Sequence, residues 1–131
     1  MLVCLMITSL VKKYADIRLR GLLLGKEHKA IETAKEYINA NWSMGITLSD
    51  LAKITGLSRY YFLRLISHKM GMPPHAYLES VRLIHAKRLI KAGLSLNEIA
   101  YATGFSDQSY FTNRFKQYLE VTPGQYAKEL Q

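Results

Sequence analysis

The chain has 131 residues, of which 49% are hydrophobic, so it is long enough for one domain with a real core, or at most one and a half domains. Eighteen Lys and Arg residues against ten Asp and Glu give a formal net charge of +8, which favours a polyanionic partner: nucleic acid, an anionic membrane or an acidic protein. Cys4 is the only cysteine, which excludes an intramolecular disulfide and a cysteine-based zinc site.

The first 29 residues are rich in leucine and predict a helical extension. Its apolar start, residues 1–11, is too short for a spanning helix of about twenty residues. It also lacks the basic region and cleavage site of a signal peptide, so we expect no contact with a membrane. We expect this helix to pack on something. Three roles stay open for it: the end of a truncated regulatory domain, a helix for self-association, or a cap on the domain that follows.

An amphipathic helix is predicted next, over residues 30–41. Its apolar positions recur at helical spacing and alternate with charged ones. The apolar residues are Ile31, Ala34, Tyr37 and Ile38, and the charged ones are Glu32, Lys35 and Glu36.

An internal repeat occupies most of the remaining chain. The segment TLSDLA at 47–52 matches SLNEIA at 95–100, and TGLS at 55–58 matches TGFS at 103–106, both at an offset of 48. One residue is then inserted, and the offset becomes 49 for the pairs Phe62 and Phe111, Ile66 and Phe115, Met72 and Val121, Pro74 and Pro123, and Tyr77 and Tyr126. The same supersecondary unit therefore occurs twice.

Each repeat predicts a short helix, a tight turn and a second helix. Thr47 and Ser95, each followed three residues later by an acid, are typical of a capping box. Gly56 and Gly104 stand where the first helix of each unit has to stop. This is the helix-turn-helix pattern, predicted at about 47–70 and 95–119.

A helix over about residues 74–92, stopped by Gly93, connects the two units. We expect its buried face to contain Tyr77, Leu78, Val81, Ile84, Ala86 and Leu89, and its polar side to contain Arg82, Lys87, Arg88 and Lys91. Its length of roughly 28 Å is close to the roughly 34 Å between successive major-groove faces of a duplex. Downstream, Thr122 and Pro123 open a last short helix with Tyr126 and Leu130.

The second repeat carries the most specific motif. The string IAYATGFSDQSYF at 99–111, FK at 115–116 and TPGQY at 122–126 resemble the signature of the AraC/XylS family of bacterial transcription regulators. The resemblance covers about residues 31–130. It implies an all-α fold of about seven helices, with two helix-turn-helix subdomains joined by a long linker helix. The domains would be a DNA-binding domain over 30–131 and an N-terminal extension over 1–29.

The resemblance also implies a function. The protein would be a sequence-specific regulator that places two recognition helices in successive major grooves of double-stranded promoter DNA. It would act in the bacterial cytoplasm at the nucleoid, without a cofactor or metal and without enzymatic activity. If it is an activator, it would also contact RNA polymerase.

Individual side chains can be assigned from the same resemblance. The first recognition helix would begin at Ser58 and the second at Ser106. Base edges would be faced by Arg59, Tyr60, Leu63 and Arg64 in the first helix, and by Gln108, Ser109, Thr112 and Asn113 in the second. Phosphates would be met by Ser58, Ser106, Arg114 and Lys116. Arginine pairs bidentately with guanine, and Gln or Asn with adenine.

The chain departs from the family pattern at several positions. Asn113 stands where the family often has Arg, which removes a cation but allows an adenine preference. Glu120 replaces the usual Gly, and Ala127 an Arg, which puts the local turn geometry in doubt.

Two other classes of protein are weighed against the regulator. DNA-repair alkyl-acceptor proteins contain the same module but need a metal-bound cysteine cluster, which Cys4 alone does not provide. A domain that binds an acidic protein would not explain the Gln, Asn, Arg and Ser residues gathered on both recognition helices.

Overall fold

The computed structural model describes the backbone of residues 2–130 and the side chains of residues 6–130; Met1, Gln131 and the Cys4 side chain lie outside these. The helices are α1 (Leu2–Asn41), α2 (Leu48–Thr55), α3 (Arg59–Met70), α4 (Pro74–Lys91), α5 (Leu96–Ala102), α6 (Gln108–Leu119) and α7 (Pro123–Glu129). Residues 2–130 contain no β-strand. The predicted all-α class is confirmed, with the two helix-turn-helix units (α2–α3, the first unit, and α5–α6, the second unit) on either side of α4.

Side-chain caps fix where the short helices begin. Thr47 and Asp50 bond reciprocally, with Asp50 N donating to Thr47 Oγ1 at 3.1 Å and Thr47 N donating to Asp50 Oδ2 at 3.0 Å. Ser95 and Glu98 form the same capping box at the start of α5. The bonds to Thr47 hold the pKa of Asp50 below its ordinary value. The two predicted capping boxes are confirmed, and they place the first helix of each unit at the same point of the repeat.

Two glycines make the turns inside the units. Gly56 has a φ of 73° and Gly104 a φ of 88°, a region that strains residues with a β-carbon. Gly56 caps the end of α2 as expected, whereas α5 ends at Ala102 with Thr103 as its cap, and Gly104 follows in the turn that was predicted for it. Glu120 adopts a φ of 66° where the family has glycine, so α6 ends in the same left-handed geometry without it.

Helix α1 is one continuous helix of 40 residues, whereas separate helices were expected at the start of the chain and at residues 30–41. Residues 6–29, called the α1 extension below, are exposed except for half-buried Glu27. Within the described chain this segment makes few contacts, among them the hydrogen bond from the Tyr61 hydroxyl to Glu27, so the expectation that it packs on something stays a prediction. No proline interrupts the segment, so the helix continues outward from its packed end. Residues 2–130 include no helix with an apolar stretch of the length that crossing a membrane requires.

The molecule has two separate hydrophobic cores. The first contains buried residues of α1 to α4, centred on Phe62 and Ile66, and the second contains buried residues of α4 to α6, centred on Phe111 and Phe115. Among the described helices, α4 alone contributes buried residues to both cores. The first core receives Leu78 and Val81, and the second receives Leu83, Ala86 and Ile90.

Ile84 lies outside both cores. It was expected on the buried face of the linker helix, but it is 56% exposed. The face of α4 that contacts the second core runs through Leu83, Ala86 and Ile90, and Ile84 points away from it.

The repeat extends to the helix that precedes each unit, which the sequence comparison missed. Ile31, Ala34 and Ile38 of α1 are buried, and so are Leu83, Ala86 and Ile90 of α4, at a constant offset of 52. Each half of the molecule is therefore a three-helix repeat, α1–α2–α3 and α4–α5–α6. The different offsets of 52, 48 and 49 hide this relation in a simple alignment of the sequence with itself.

Candidate nucleic-acid interface

The first recognition helix is α3, and its two faces have different compositions. Ser58 caps it, with Tyr61 N donating to Ser58 Oγ at 3.2 Å, as predicted. Phe62, Leu65 and Ile66 are buried against the core. The four side chains assigned to base edges are all exposed: Arg59, Tyr60, Leu63 and Arg64.

Arg64 and Tyr60 interact on this exposed face. The guanidinium carbon of Arg64 lies 5.5 Å from the centre of the Tyr60 ring, and Tyr60 is 71% exposed. A cation–π contact limits the rotamers of both side chains before any ligand binds. The arginine is therefore held on the outer face of α3.

The second recognition helix is α6, and it begins later than expected. Asp107, not Ser106, is the N-cap, with Tyr110 N donating to Asp107 Oδ1 at 2.7 Å. The reason is the inserted residue of the repeat: at an offset of 49 the equivalent of Ser58 is Asp107. Ser106 is exposed and lies before the cap.

The outer face of α6 is polar and lies at positions equivalent to those of α3. Gln108, Ser109 and Asn113 are exposed, and Thr112 is half-buried. At the offset of 49 these residues match Arg59, Tyr60, Arg64 and Leu63 in the order given. Lys116, predicted near phosphates, is also exposed.

Arg114 does not extend from α6 as a free cation. Its Nε donates to Glu79 Oε2 at 2.8 Å, its Nη2 forms an ion pair with the same oxygen, and its Nη1 donates to Gln117 Oε1 at 2.7 Å. Glu79 raises the pKa of Arg114 further above its ordinary value, mainly through this hydrogen bond. The structure thus places Arg114 in an internal ion pair, where a phosphate contact was expected.

Glu79 is a functional candidate that the sequence analysis missed. It is only 7% exposed, and it also accepts a bond of 2.6 Å from the Tyr110 hydroxyl, which raises the pKa of that tyrosine. A signal was present: Glu79 lies four residues before Leu83, on the buried stripe of the linker helix. An acid in such a position requires a partner.

Arg82 also departs from its predicted place on the polar side of α4. Its Nε donates to the Trp42 carbonyl at 2.8 Å and its Nη2 to the Met44 carbonyl at 2.9 Å. Burial lowers the pKa of this half-buried arginine from its ordinary value. One helical turn on, His85 stacks on Trp42, with ring centres 3.9 Å apart, and burial lowers the histidine pKa.

The charge of the two recognition helices suits a polyanion. Neither α3 nor α6 contains an acidic residue, whereas α3 carries Arg59, Arg64 and Lys69, and α6 carries Lys116 in addition to the paired Arg114. The described part of the chain has no group of three His, Cys, Asp or Glu residues that could hold a metal ion. The exposed side chains of α3 and α6 are therefore suited to hydrogen bonding with a polyanion along the outer faces of both helices.

The comparisons with known proteins also indicate a helix-turn-helix protein. A family model described as a helix-turn-helix domain matches residues 51–129. A transcriptional regulator of helix-turn-helix type from Bacillus subtilis, YbfI, is 32% identical over 105 residues, which is 80% of this chain and 38% of that protein. The lactose operon transcription activator of Staphylococcus xylosus is 29% identical over 97 residues, or 73% of this chain and 35% of the activator.

A solved structure agrees with the fold. The crystal structure of a transcriptional regulator with an AraC-type DNA-binding domain, from Chromobacterium violaceum, superposes with a TM-score of 0.74 at 25% identity. The match covers 79% of this chain and 93% of that one. The chain thus spans well under half the length of the two curated relatives but nearly the whole length of this solved domain.

Proposed function

Since the chain belongs to the AraC family of helix-turn-helix transcription regulators, we propose that it binds one asymmetric promoter site with both units. The observation that carries the proposal is the exposed, acid-free outer face of α3 and of α6, presented at equivalent positions of a repeat. Because the repeat lies within one chain, a single protomer can offer two recognition helices to one side of a duplex.

Base readout is assigned to the exposed side chains with hydrogen-bonding geometry. Arg64 is suited to the O6 and N7 acceptors of guanine, and Gln108 and Asn113 to adenine. Leu63 and Thr112, at equivalent positions, are suited to the methyl group of thymine. Arg59, Tyr60 and Ser109 complete the two groove-facing sets. These sets differ in every residue, so the two half-sites should differ in sequence and the full site should not be palindromic.

Phosphate contacts are assigned to groups near the ends of the recognition helices. Ser58 lies at the start of α3, where backbone amides and hydroxyls favour anions. Ser106 lies before the start of α6, where the Asp107 carboxylate already caps the helix, so only the Ser106 hydroxyl is assigned to a phosphate. Lys116 supplies a cation from the last turn of α6. Arg114 is left out of this set, because its guanidinium already pairs with Glu79.

The length of α4 constrains the complex. Eighteen residues span about 27 Å, whereas successive major grooves lie about 34 Å apart. We expect the DNA to bend toward the protein, or one unit to engage incompletely. Footprinting of a monomeric preparation should show two contacts about 10 bp apart, and inserting 5 bp between them should abolish joint binding. A palindromic footprint that requires two chains would contradict this geometry.

Selection from random duplexes, followed by a gel shift with excess nonspecific DNA, tests the function itself. Binding should weaken steeply with salt, with a log–log slope of several units between about 50 and 200 mM, because contacts to phosphates release counterions. A flat salt response, or the absence of any selected sequence, would contradict the proposal.

Transcription control is expected to follow from occupancy of the site, without catalysis. The activator of the lactose operon among the relatives suggests contact with RNA polymerase in this chain as well. Such a protein would work in the cytoplasm at the nucleoid. Transcription in vitro with purified bacterial polymerase, on a template with the selected site, should rise when the protein is added. An unchanged or lower yield would exclude the activator role.

The α1 extension is proposed as a surface for self-association. Ile7, Leu10, Tyr14 and Ile17 are exposed and follow the alternating three- and four-residue spacing of a coiled-coil seam, which continues through Gly21 to the exposed Leu24. The same spacing passes through His28 to Ile31, which lies in the first core. Lys13 and Arg18 flank the seam at positions that would face each other in a parallel pair, so we expect two copies to pair antiparallel.

A variant on the seam tests this pairing. Ile17→Asp should convert a concentration-dependent dimer into a monomer, measured by light scattering across protein concentration. Leu19→Asp is the matched control, because Leu19 is an exposed leucine on the opposite side of the same helix. A wild-type chain that is monomeric at all concentrations, or equal effects of the two variants, would contradict the proposed seam.

A further inference from the structure

We propose, on the basis of the proposed function, that Arg82 and Glu79 are positioning residues that hold the two units in one orientation and so select the spacing between the half-sites. Neither residue lies on a groove-facing surface. Both project from α4, the helix that the two cores share, and each contacts elements of a unit through buried or half-buried polar groups.

Arg82 contacts both halves of the molecule. Toward the first half, it donates to the carbonyls of Trp42 and Met44, which lie at the end of α1 and just beyond it. Toward the second half, its guanidinium lies against the turn of the second unit: a β-carbon added at Gly104 would be 3.0 Å from the Arg82 guanidinium carbon. One planar cation is therefore enclosed between the segment that precedes the first unit and the turn of the second.

Glu79 fixes the second recognition helix to the same part of α4. Its two carboxylate oxygens accept from Tyr110 near the start of α6 and from Arg114 one turn later. Two anchor points on one helix resist both rotation and tilt. Since Glu79 is almost fully buried, loss of either partner would leave a desolvated charge, which opposes any movement that breaks the contact.

Arg82 and Glu79 together restrict how the units move relative to each other. Each unit has its own core, and those cores meet on α4. Apolar packing is not directional, so it tolerates small rotations that hydrogen bonds do not. While the contacts of Arg82 and Glu79 are intact, α3 and α6 keep one separation and one relative angle. A duplex whose half-sites are displaced then has to deform, and this deformation lowers affinity.

The test measures discrimination between spacings. Duplexes carry the selected site with its natural spacing or with 2 bp added or removed between the halves, which rotates one half by about 70°. For the wild-type chain we expect the natural spacing to be favoured by about tenfold or more. Arg82→Met, which keeps the side-chain length but removes the guanidinium, and Glu79→Gln should each reduce this ratio to about threefold or less. Base preference within each half-site should not change.

A change in spacing discrimination can be distinguished from a general loss of structure and from a failure of the proposed function. The ratio of two affinities is independent of the fraction of active protein, and circular dichroism checks the helix content of each variant. Arg88→Ala is the matched control, because Arg88 is an exposed cation on the same helix. The inference alone would be overturned if the Arg82 and Glu79 variants both kept the wild-type ratio of affinities for the two spacings. It would also be overturned if Arg88→Ala reduced this ratio as much as they do. A wild-type chain that selects no sequence would overturn the proposed function as well.

Discussion

The first and second units carry equivalent residues on equivalent helices, yet the two units are attached to the rest of the molecule differently. Phe62 and Phe111 are both fully buried. Tyr61 and Tyr110, related by the same offset of 49, each donate a hydrogen bond to a glutamate of the helix that precedes their unit, at 2.7 and 2.6 Å. These acids, Glu27 of α1 and Glu79 of α4, are themselves related by the offset of 52 that joins the buried residues of the two helices.

The environments of the two tyrosine–glutamate pairs differ. The pair in the first unit is open to solvent, with half-buried Glu27 at the end of the α1 extension. In the second unit Glu79 is buried and is also bound by Arg114, while Tyr110 is as exposed, at 42%, as Tyr61. We infer that the second recognition helix is held rigidly on α4, whereas the first is attached to a helix whose outer part is free to meet another chain.

The largest expected effect is on the free energy of unfolding, and it tests whether the two cores unfold together. Phe62→Ala and Phe111→Ala should each lower the free energy of unfolding by about 3–5 kcal/mol, because each removes a fully buried ring. Since α4 belongs to both cores, urea unfolding should remain a single transition in both variants. Two separated transitions in either variant would show that the units unfold independently.

A second prediction concerns the different surfaces of the two recognition helices. Arg64→Ala and Gln108→Ala should each reduce the free energy of binding to the selected site by about 1–3 kcal/mol, and each should relax base preference in a different half-site. Lys116→Ala is the control, because removing the cation that we propose to meet a phosphate should weaken binding to all sequences alike. Selection from random duplexes measures both effects. Unchanged base preferences in both variants would remove the groove assignment.

The features that the sequence predicted well are local. Capping boxes at Thr47 and Ser95, the turn at Gly56 and the buried stripe at Phe111 and Phe115 depend on residues close to one another in the chain. Periodicity and cap chemistry report such features directly. This is why the two helix-turn-helix units and the all-α class could be predicted without a structure.

The features that were missed depend on contacts between distant residues. The pairing of Arg114 with Glu79 joins residues 35 positions apart, and Arg82 reaches a carbonyl 40 positions away. Sequence spacing within α6 indicates that Arg114 is polar but not which helix it faces. The N-cap of α6 at Asp107 was missed for a simpler reason, since the inserted residue shifts the equivalence of Ser58 from Ser106 to Asp107.

A third prediction compares the two tyrosine–glutamate pairs directly. Tyr110→Phe should lower the free energy of unfolding by about 1–2 kcal/mol, because it removes a partner from the buried Glu79 carboxylate. Tyr61→Phe removes the equivalent bond where water can replace the hydroxyl, so its effect should be smaller. Urea unfolding of the two variants side by side measures the difference. Equal effects would mean that burial of the second pair does not distinguish the units.

The smallest expected effect concerns the contact between α4 and the first half of the molecule, where His85 stacks on Trp42. Burial, followed by the charge of Arg88, lowers the pKa of His85 below its ordinary value near 6.5. The unfolded chain therefore takes up the proton first as the pH falls. The contribution of this neutral histidine to stability is complete above about pH 6.5 and is lost as the pH falls through the lower folded-state pKa.

His85→Gln, which keeps a polar side chain that does not titrate, should remove that part of the pH dependence. The free energy of unfolding, measured in urea at pH 7.5 and pH 5.5, should fall more in the wild-type chain than in the variant. Ile84→Gln is the matched control, because Ile84 is an exposed neighbour of His85 on the same helix, and its replacement introduces the same side chain and leaves every titratable group in place. It should therefore retain the wild-type decrease between the two pH values. If the His85 variant lost as much stability as the wild type, the stacked histidine would not be the titrating group that links α4 to the first half.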